Sequence, residues 1–359
     1  MGELFKNSVN LKIIRCVNDY NMFVGQSAVL AAFSGGADSV AMLGWLTEYC
    51  LKNNLRLAAL HVNHKIRGDE AERDAAFCEN FCRVRGVEFY YREVNVPALA
   101  AVSGQGLEEA AREIRYSELY HIAKKHGFDC IATAHNADDN LETVIFNLAR
   151  GTSAAGLAGI PPVRRMTEHV KITQPDNTNT SIQYGHESDP VIIRPLLYCE
   201  KTELIAYCRE TELEYVTDST NADTAYTRNF IRAEIIPRLE RVNSAVRRNA
   251  LRMCKSLRAD DDEMNAAAAH ISLVGGRTML AMQSDAVLFR VLQREFGNYT
   301  GGGTLEYTHL EKIAELLRSG KKIFYYSLPR LTQFKCEGDA LSFGLDPRGA
   351  IQCSATQNK

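Results

Sequence analysis

The sequence lacks long apolar runs and any targeting signal. Its longest apolar stretch, from Ser27 to Leu46, is interrupted by Gly35, Gly36 and Asp38, whereas a membrane span needs about twenty uninterrupted apolar residues. The opening MGELFKNSVN has neither the basic start nor the apolar core of a secretory signal. We therefore expect a cytoplasmic protein with no membrane partner.

Cysteine pairs and a strong net charge are also missing. The ten cysteines include no CxxC pair and no Cys/His metal spacing, which argues against a cysteine-bound metal centre. The net charge is only -2, so composition alone does not indicate a nucleic-acid binder. The charge is unevenly distributed, however, because nine Lys or Arg and only two acidic residues lie between Arg228 and Arg258. Such a stretch either binds phosphates or forms a solvated helix face.

Short apolar segments alternate with helical patterns along the first half of the chain. The predicted strands are residues 27–33, 55–62, 87–96, 130–135 and 191–197. The alternation predicts an α/β fold, a Rossmann-like parallel sheet with helices on both faces. We place this domain at residues 1–215, a basic helical linker at 216–270 and a small α+β domain at 271–359. The polar residues 167–190 are predicted to form a mobile surface insertion.

A glycine-containing turn separates the first predicted strand from its helix. Its residues are Ser34, Gly35, Gly36, Ala37, Asp38 and Ser39. Free N–H groups at a helix start favour an anion, and glycines let the backbone approach phosphate closely. The turn has neither the GxxxxGK[ST] nor the GxGxxG pattern, and it matches the SGGxDS PP-loop of ATP pyrophosphatases. We expect it to bind ATP, with Mg²⁺ at Asp38, because this carboxylate would otherwise repel phosphate.

Acidic residues follow the fourth predicted strand. Asp138, Asp139 and Glu142 project from one face at the start of a helix. Because the carboxyl ends of parallel strands form the ligand crevice, these carboxylates, with His61 and His135, would face the same crevice as the turn. A simple capped, solvated helix start is the alternative. Similarly, Arg112 and Arg115, one helical turn apart, would either contact reacting groups or form a solvated ion-pair face.

Seven segments resemble, in order and spacing, the tRNA(Ile)-lysidine synthetase family of the PP-loop ATPase fold. They are SGGADSVAML, HVNHKIRG, AREIRY, TAHNADDNLETVIFNLARGT, GLAGI, IIRPLL and NADTAYTRNFIR. The turn indicates only the superfamily, and the DDNLET helix with the later YTRNFIR makes the resemblance specific. The sequence departs from the family at Ser153, where the family usually has glycine. It also ends soon after the first small C-terminal unit, which resembles the family's shorter architecture.

The resemblance implies an activity. Members use ATP to adenylate the C2 oxygen of cytidine 34 in an isoleucine tRNA with a CAU anticodon, and pyrophosphate leaves. The ε-amine of free lysine then displaces AMP and forms lysidine. This changes codon reading from AUG to AUA and tRNA identity from methionine to isoleucine.

The resemblance also implies roles for individual residues. The catalytic set would be Asp38, Arg112, Arg115, Asp139 and Glu142. Within it, Asp38, Asp139 and Glu142 would hold the substrate lysine. The turn with His61 and His135 would bind ATP, and Asp38 and Asp138 would bind Mg²⁺. The C-terminal domain, Arg228 and Arg232 would bind tRNA. The positive stretch adds Arg247, Arg248 and Arg252 as candidate tRNA contacts, with a solvated helix face as the alternative.

Three alternatives stay open at this point. A PP-loop tRNA thiolase would typically carry catalytic or cluster-binding cysteine pairs, which are absent from the sequence. A small-molecule amidating ligase shares SGGxDS but lacks the YTRNFIR segment and the basic helix. A nucleotide-binding regulatory protein would need no carboxylate set. The sequence does not indicate which group deprotonates lysine. It also leaves the oligomeric state open, and a homodimer is one of the alternatives.

Overall fold

A computed structural model describes residues 8–66, 68–104, 106–166, 172–173, 179–180, 189–217 and 227–347. The chain divides into two compact units, Met1–Lys255 and Ser256–Lys359. The three-part division at residues 216 and 271 stays a prediction. Most of the 167–190 insertion and residues 218–226 of the segment before YTRNFIR lie outside the described residues.

The first unit is built on a six-stranded sheet with the order β3-β2-β1-β4-β8-β5. Its strands are β1 (Ala28–Ala32), β2 (Arg56–Asn63), β3 (Glu88–Glu93), β4 (Cys130–Ala132), β5 (Val163–Arg165) and β8 (Val191–Ile193). All pairings are parallel except that of β5 with β8, which is antiparallel. The five predicted strands are therefore confirmed, and β5 is an unpredicted edge strand. Two short strands, β6 (Ile172–Thr173) and β7 (Asn179–Thr180), pair separately.

Helices cover both faces of this sheet, as the alternation predicts. The helices are α1 (Ser8–Asp19), α2 (Ala37–Lys52), α3 (Asp69–Arg85), α4 (Val96–Ser103), α5 (Leu107–His126), α6 (Ala137–Arg150), α7 (Ala154–Leu157), α8 (Lys201–Glu210), α9 (Thr227–Phe230), α10 (Ile236–Val242) and α11 (Val246–Ala269), with a π-helical turn at Ile231–Ile235. Trp45 of α2 and Leu204 of α8 belong to the core on one face, whereas Leu119 of α5 belongs to the core on the other. The short apolar strands are buried because both faces are covered.

The second unit has its own core. It contains α12 (Gly276–Ala281), α13 (Asp285–Thr300) and α14 (Tyr307–Arg318), followed by an antiparallel sheet of β9 (Ile323–Leu328), β10 (Thr332–Glu337) and β11 (Ala340–Leu345). Fully buried Phe296 and Phe334 lie at its centre. The unit is thus the predicted α+β domain.

The described residues include neither a membrane-spanning helix nor a disulfide. None of the helices that the structure describes combines the length and apolar character needed to span a membrane. The nine described cysteines are all buried and unbridged. Burial raises the pKa of several of these thiols, Cys50 among them to about 12, so they are protonated core groups.

Candidate active site

The glycine turn lies where β1 ends and α2 begins. Ser34 N donates a hydrogen bond to Ser39 Oγ (3.3 Å), and Ser39 Oγ donates to the Gly36 carbonyl (2.9 Å). Gly35 has a φ of +85°, and its carbonyl accepts from Val216 N (3.0 Å). The turn is therefore a defined loop closed by two serines at the amino end of a 16-residue helix, the geometry expected of an anion cradle.

The two histidines named from the sequence differ in their surroundings. His61 is buried, and its Nδ1 lies 2.9 Å from the Phe33 carbonyl, so this nitrogen donates and supports the chain just before the turn. Burial lowers the pKa of His61. His135 is only half-buried, with Nδ1 3.0 Å from Thr133 Oγ1, and burial together with nearby arginines holds its pKa well below the usual range. Both rings are therefore neutral at pH 7.

A capping box fixes the start of α6. The side-chain oxygen of Asn136 accepts from Asp138 N (2.9 Å) and Asp139 N (3.1 Å), while Asp139 Oδ2 accepts from Asn136 N (3.0 Å). The capped helix start that the sequence offered as an alternative is therefore present. The capping box uses only Oδ2 of Asp139. The other oxygen, Oδ1, lies 3.9 Å from Arg232 Nη2 and is available to a ligand. Burial raises the pKa of Asp139.

Glu142 forms a two-pronged ion pair with Arg232. Arg232 Nε donates to Oε1 (2.6 Å) and Nη2 donates to Oε2 (3.0 Å). The glutamate is 3% exposed and the arginine side chain 37%. Burial raises the pKa of Glu142, although Arg232 opposes this shift. The sequence named both residues for separate roles, with lysine and with tRNA, and the pair itself was not foreseen because the two lie 90 positions apart.

Asp138 connects three helices. Its Oδ2 accepts from Lys201 N at the start of α8 (2.7 Å), and its Oδ1 accepts from Arg247 Nε of α11 (2.7 Å). Arg247 also pairs with Glu240 of α10. Both oxygens of Asp138 accept hydrogen bonds that join α6 to α8 and α11, and its role as a Mg²⁺ ligand stays a prediction.

Asp38 is the carboxylate whose partner is missing. Its Oδ1 is buried and has no hydrogen-bond partner among the described residues. Burial raises the pKa of Asp38 to about 6; Lys201 opposes the shift, and Asp139 and Asp138 add to it. An orphaned carboxylate oxygen beside a phosphate cradle fits Mg²⁺, which takes one or two carboxylates and completes its shell with substrate phosphates and water. No group of three or more potential ligands is found within the described ranges, so an all-protein metal cage is not present there.

The shifted pKa makes stability depend on pH. The folded state holds the Asp38 proton more tightly than the unfolded chain does, so Asp38 destabilises the wild type progressively between about pH 4 and pH 6. We expect Asp38→Asn to be more stable than the wild type at pH 7, by at most about 3 kcal/mol, with the difference shrinking towards pH 5. Denaturant unfolding of the ligand-free protein at both pH values measures this, and Asp69→Asn, at an exposed helix start, is the control. A difference independent of pH would contradict the assigned pKa.

The other predicted residues are distributed over α5, α9 and α11. Arg112 is exposed on α5, with its guanidinium 5.3 Å from the Tyr116 ring centre, and Arg115 is exposed one turn further on. Arg248 and Arg252 are exposed on α11. Among the residues that the sequence did not single out, Lys201 contributes positive charge near Asp38 and Asp139. It follows the fifth predicted strand, but no local pattern marks it as part of the site.

Comparison with known proteins agrees with this geometry. The PP-loop domain family matches residues 6–239. A tRNA(Ile)-lysidine synthase of Caldanaerobacter subterraneus subsp. tengcongensis is 35% identical over 85% of this chain and 63% of its own length. A tRNA(Ile)-lysidine synthase of Clostridioides difficile is 31% identical over 89% of this chain and 67% of its own length. The chain thus spans about two thirds of the length of these relatives.

A solved structure shares the fold. The U34-tRNA thiolase NcsA from Methanococcus maripaludis, determined with its 4Fe-4S cluster, superposes with a TM-score of 0.53 and 21% identity. The match covers 69% of this chain and 79% of the thiolase chain. At this identity the likeness establishes the architecture alone. The family match over residues 6–239 and the two curated relatives show that the chain belongs to the PP-loop family and, within it, to the tRNA(Ile)-lysidine synthases.

Proposed function

We propose that the protein uses ATP to join lysine to C2 of cytidine 34 in a CAU-anticodon tRNA(Ile), releasing AMP and pyrophosphate. The observation that carries this proposal is the acidic set of Asp38, Asp139 and Glu142 beside the glycine turn, in a chain similar to tRNA(Ile)-lysidine synthases. The product would read AUA in place of AUG and accept isoleucine in place of methionine. The tRNA substrate implies a cytoplasmic enzyme.

The first step would form the adenylate. The C2 oxygen of cytidine attacks the α-phosphorus of ATP, and the bond to the β-phosphate bridging oxygen breaks, so that pyrophosphate leaves. The turn would hold the phosphates through backbone N–H groups, and Mg²⁺ at Asp38 would neutralise their charge when bound. Adenylation converts a poor leaving group, the C2 oxygen, into a phosphate ester that departs as AMP.

The second step would transfer lysine. The ε-amine attacks C2, the C2–O bond breaks, AMP leaves, and the amine loses a proton. The capping box holds Asp139 through its Oδ2, so the carboxylate is pre-positioned for a cationic substrate. Arg232 neutralises Glu142 in the ligand-free state, so contact between Glu142 and lysine would require this pair to rearrange, which lowers the net lysine-binding free energy. A carboxylate with a raised pKa, such as Asp38 or Asp139, is suited to accept a proton near neutral pH.

The competing enzyme classes have less support. The sequence contains no CxxC pair, and the described cysteines are buried, which leaves a thiolase without an accessible sulfur ligand among these residues. An amidating ligase would have no use for an exposed basic helix face such as that of Arg248 and Arg252. We therefore retain lysine as the amine donor and tRNA as the acceptor.

The direct test is mass spectrometry of nucleosides from CAU-anticodon tRNA(Ile) incubated with the protein, ATP, Mg²⁺ and lysine. Lysidine at position 34 is the expected product, and omission of lysine is the control. Unmodified cytidine, with binding of that tRNA demonstrated separately, would overturn the proposal in favour of another donor.

The exposed arginines of α11 are proposed to contact tRNA phosphates. We expect the Arg248→Gln/Arg252→Gln double variant to bind tRNA about tenfold more weakly at 0.1 M salt, with the slope of log affinity against log salt smaller by up to about 2. Arg247→Gln is the matched comparison because Arg247 is occupied by Asp138 and Glu240. This variant should keep the salt slope and lose turnover. An unchanged slope in the double variant would show that this helix face does not bind RNA.

A further inference from the structure

The sheet register brings two arginines together beneath α5. Arg164 of β5 pairs directly with Ile192 of β8, and paired residues project from the same face of a sheet. Arg194 follows Ile192 by two positions and therefore projects from this face too, and its N–H continues the ladder by donating to the Pro162 carbonyl (3.0 Å). Ile192 packs in the core formed with Tyr116 and Leu119 of α5. Both guanidiniums are thus directed towards the buried side of α5.

Tyr116 and Arg112 complete the cluster from the helix side. The Tyr116 side chain is buried, and the Arg112 guanidinium lies over its ring at 5.3 Å from the centre. The charges of Arg194, Arg112 and Arg164 all act on the Tyr116 phenol and lower its pKa despite its burial. The same arginine-rich field, from Arg194, Arg112 and others, acts on His135 at the end of β4. The region is therefore strongly positive at the carboxyl edge of the sheet.

No described carboxylate neutralises this charge. None of the ion pairs formed among the described residues involves Arg112, Arg164 or Arg194. Arg194 is only 2% exposed, and its Nη1 donates a hydrogen bond to the Pro161 carbonyl. Neither the buried Nε of Arg164 nor that of Arg194 has a hydrogen-bond partner among the residues that the structure describes. A buried guanidinium with an unsatisfied donor is costly unless an anion completes its hydrogen bonds.

We propose that Arg164, Arg194 and Tyr116 form a phosphate-binding site next to the catalytic crevice, separate from the glycine turn. A phosphate group accepts hydrogen bonds from two guanidinium forks and a phenol and would satisfy both orphaned Nε donors. Its source is either a phosphodiester of the bound RNA or a phosphate of ATP or pyrophosphate. The RNA source rests on the proposed function, and the nucleotide source requires only the PP-loop fold.

Neighbouring arginines on one edge strand provide the test. Arg164→Gln removes a guanidinium group from the site, and Arg164→Lys keeps the positive charge without the guanidinium. Arg165→Gln is the control, because Arg165 is exposed and strand alternation places it on the opposite face of β5. For each variant, the affinity for CAU-anticodon tRNA is measured against KCl concentration, and the affinities for ATP and inorganic pyrophosphate are measured without tRNA. Melting temperatures establish that the variants are folded, and Arg164→Lys serves if Arg164→Gln does not fold.

The tRNA and nucleotide binding measurements distinguish the two sources of the phosphate. With an RNA phosphodiester in the site, Arg164→Gln lowers tRNA affinity about tenfold and the salt slope by about 1, and ATP affinity is unchanged. With a nucleotide phosphate, the affinity for ATP or pyrophosphate falls about tenfold and the tRNA slope is unchanged. If Arg164→Gln matches Arg165→Gln in every arm, the proposed site is wrong. Because all arms measure binding, they remain decisive even if the wild type forms no lysidine.

Discussion

Asp139→Asn is expected to reduce lysidine formation by at least about 30-fold while leaving tRNA affinity within about twofold of wild type. Asparagine keeps the shape of aspartate, and its Oδ1 can still accept from Asn136 N, so the capping box and the start of α6 persist. The variant loses the negative charge that, in the proposed function, would face the lysine ammonium. Removing one partner of a close charge pair costs about 2–5 kcal/mol, and each 1.36 kcal/mol is a factor of ten in rate.

The two half-reactions locate the loss. Adenylation, followed as pyrophosphate exchange in the presence of tRNA, should continue in Asp139→Asn because this step does not involve lysine. Lysine transfer, followed by nucleoside mass spectrometry, should fail at all practical lysine concentrations. Asp69→Asn is the matched control, since Asp69 is an exposed carboxylate in the first turn of α3. Turnover by Asp139→Asn at the wild-type rate would remove Asp139 from the lysine site.

The fold was largely predictable because its signals are local. Four of the five predicted strands are short, largely apolar segments followed by a helix, and burial on both faces of the sheet produces this pattern. The fifth, β3, is a partly exposed edge strand that carries Glu88, Arg92 and Glu93. Strand β5 was not predicted because VRR carries two charges and has no alternation. Its pairing with β8 depends on tertiary contacts, and the edge position allows Arg165 to remain exposed.

The sequence indicated the local structure of single segments of the candidate site but not the pairings between them. The SGGADS turn and the DDNLET helix start are contiguous in sequence, and each has the local geometry that the sequence indicated. The contacts of Glu142 with Arg232 and of Asp138 with Arg247 join positions 90 and 109 residues apart. Charge clustering suggested that both arginines bind tRNA, which stays a prediction, whereas their guanidinium groups contact carboxylates in the ligand-free protein. No local pattern carries this information.

Gly35→Ala is expected to destabilise the protein and to weaken ATP binding. Gly35 has a φ of +85°, a conformation that alanine adopts only with strain of about 1 kcal/mol or more. A Cβ there would also lie 3.0 Å from Val216 Cγ2 and 3.1 Å from Cys78 Sγ, in a closely packed region. Overpacking adds about 1–3 kcal/mol. We therefore expect a loss of about 2–4 kcal/mol in unfolding free energy, which corresponds to a melting temperature lower by about 5–10 °C.

A substitution at the neighbouring Gly36 distinguishes the effect of backbone strain in the turn from the effect of an added methyl group. Gly36 has a φ of -72°, and a Cβ there would meet only Ser34 Oγ at 3.7 Å, so Gly36→Ala should melt within about 2 °C of wild type. Relief of the strain at Gly35 requires the turn to move, and the N–H groups that face the phosphates move with it. ATP affinity, measured at a temperature where both variants are folded, should therefore fall at least about tenfold in Gly35→Ala. If Gly35→Ala melts like Gly36→Ala and binds ATP normally, the left-handed conformation at residue 35 is not what shapes the cradle.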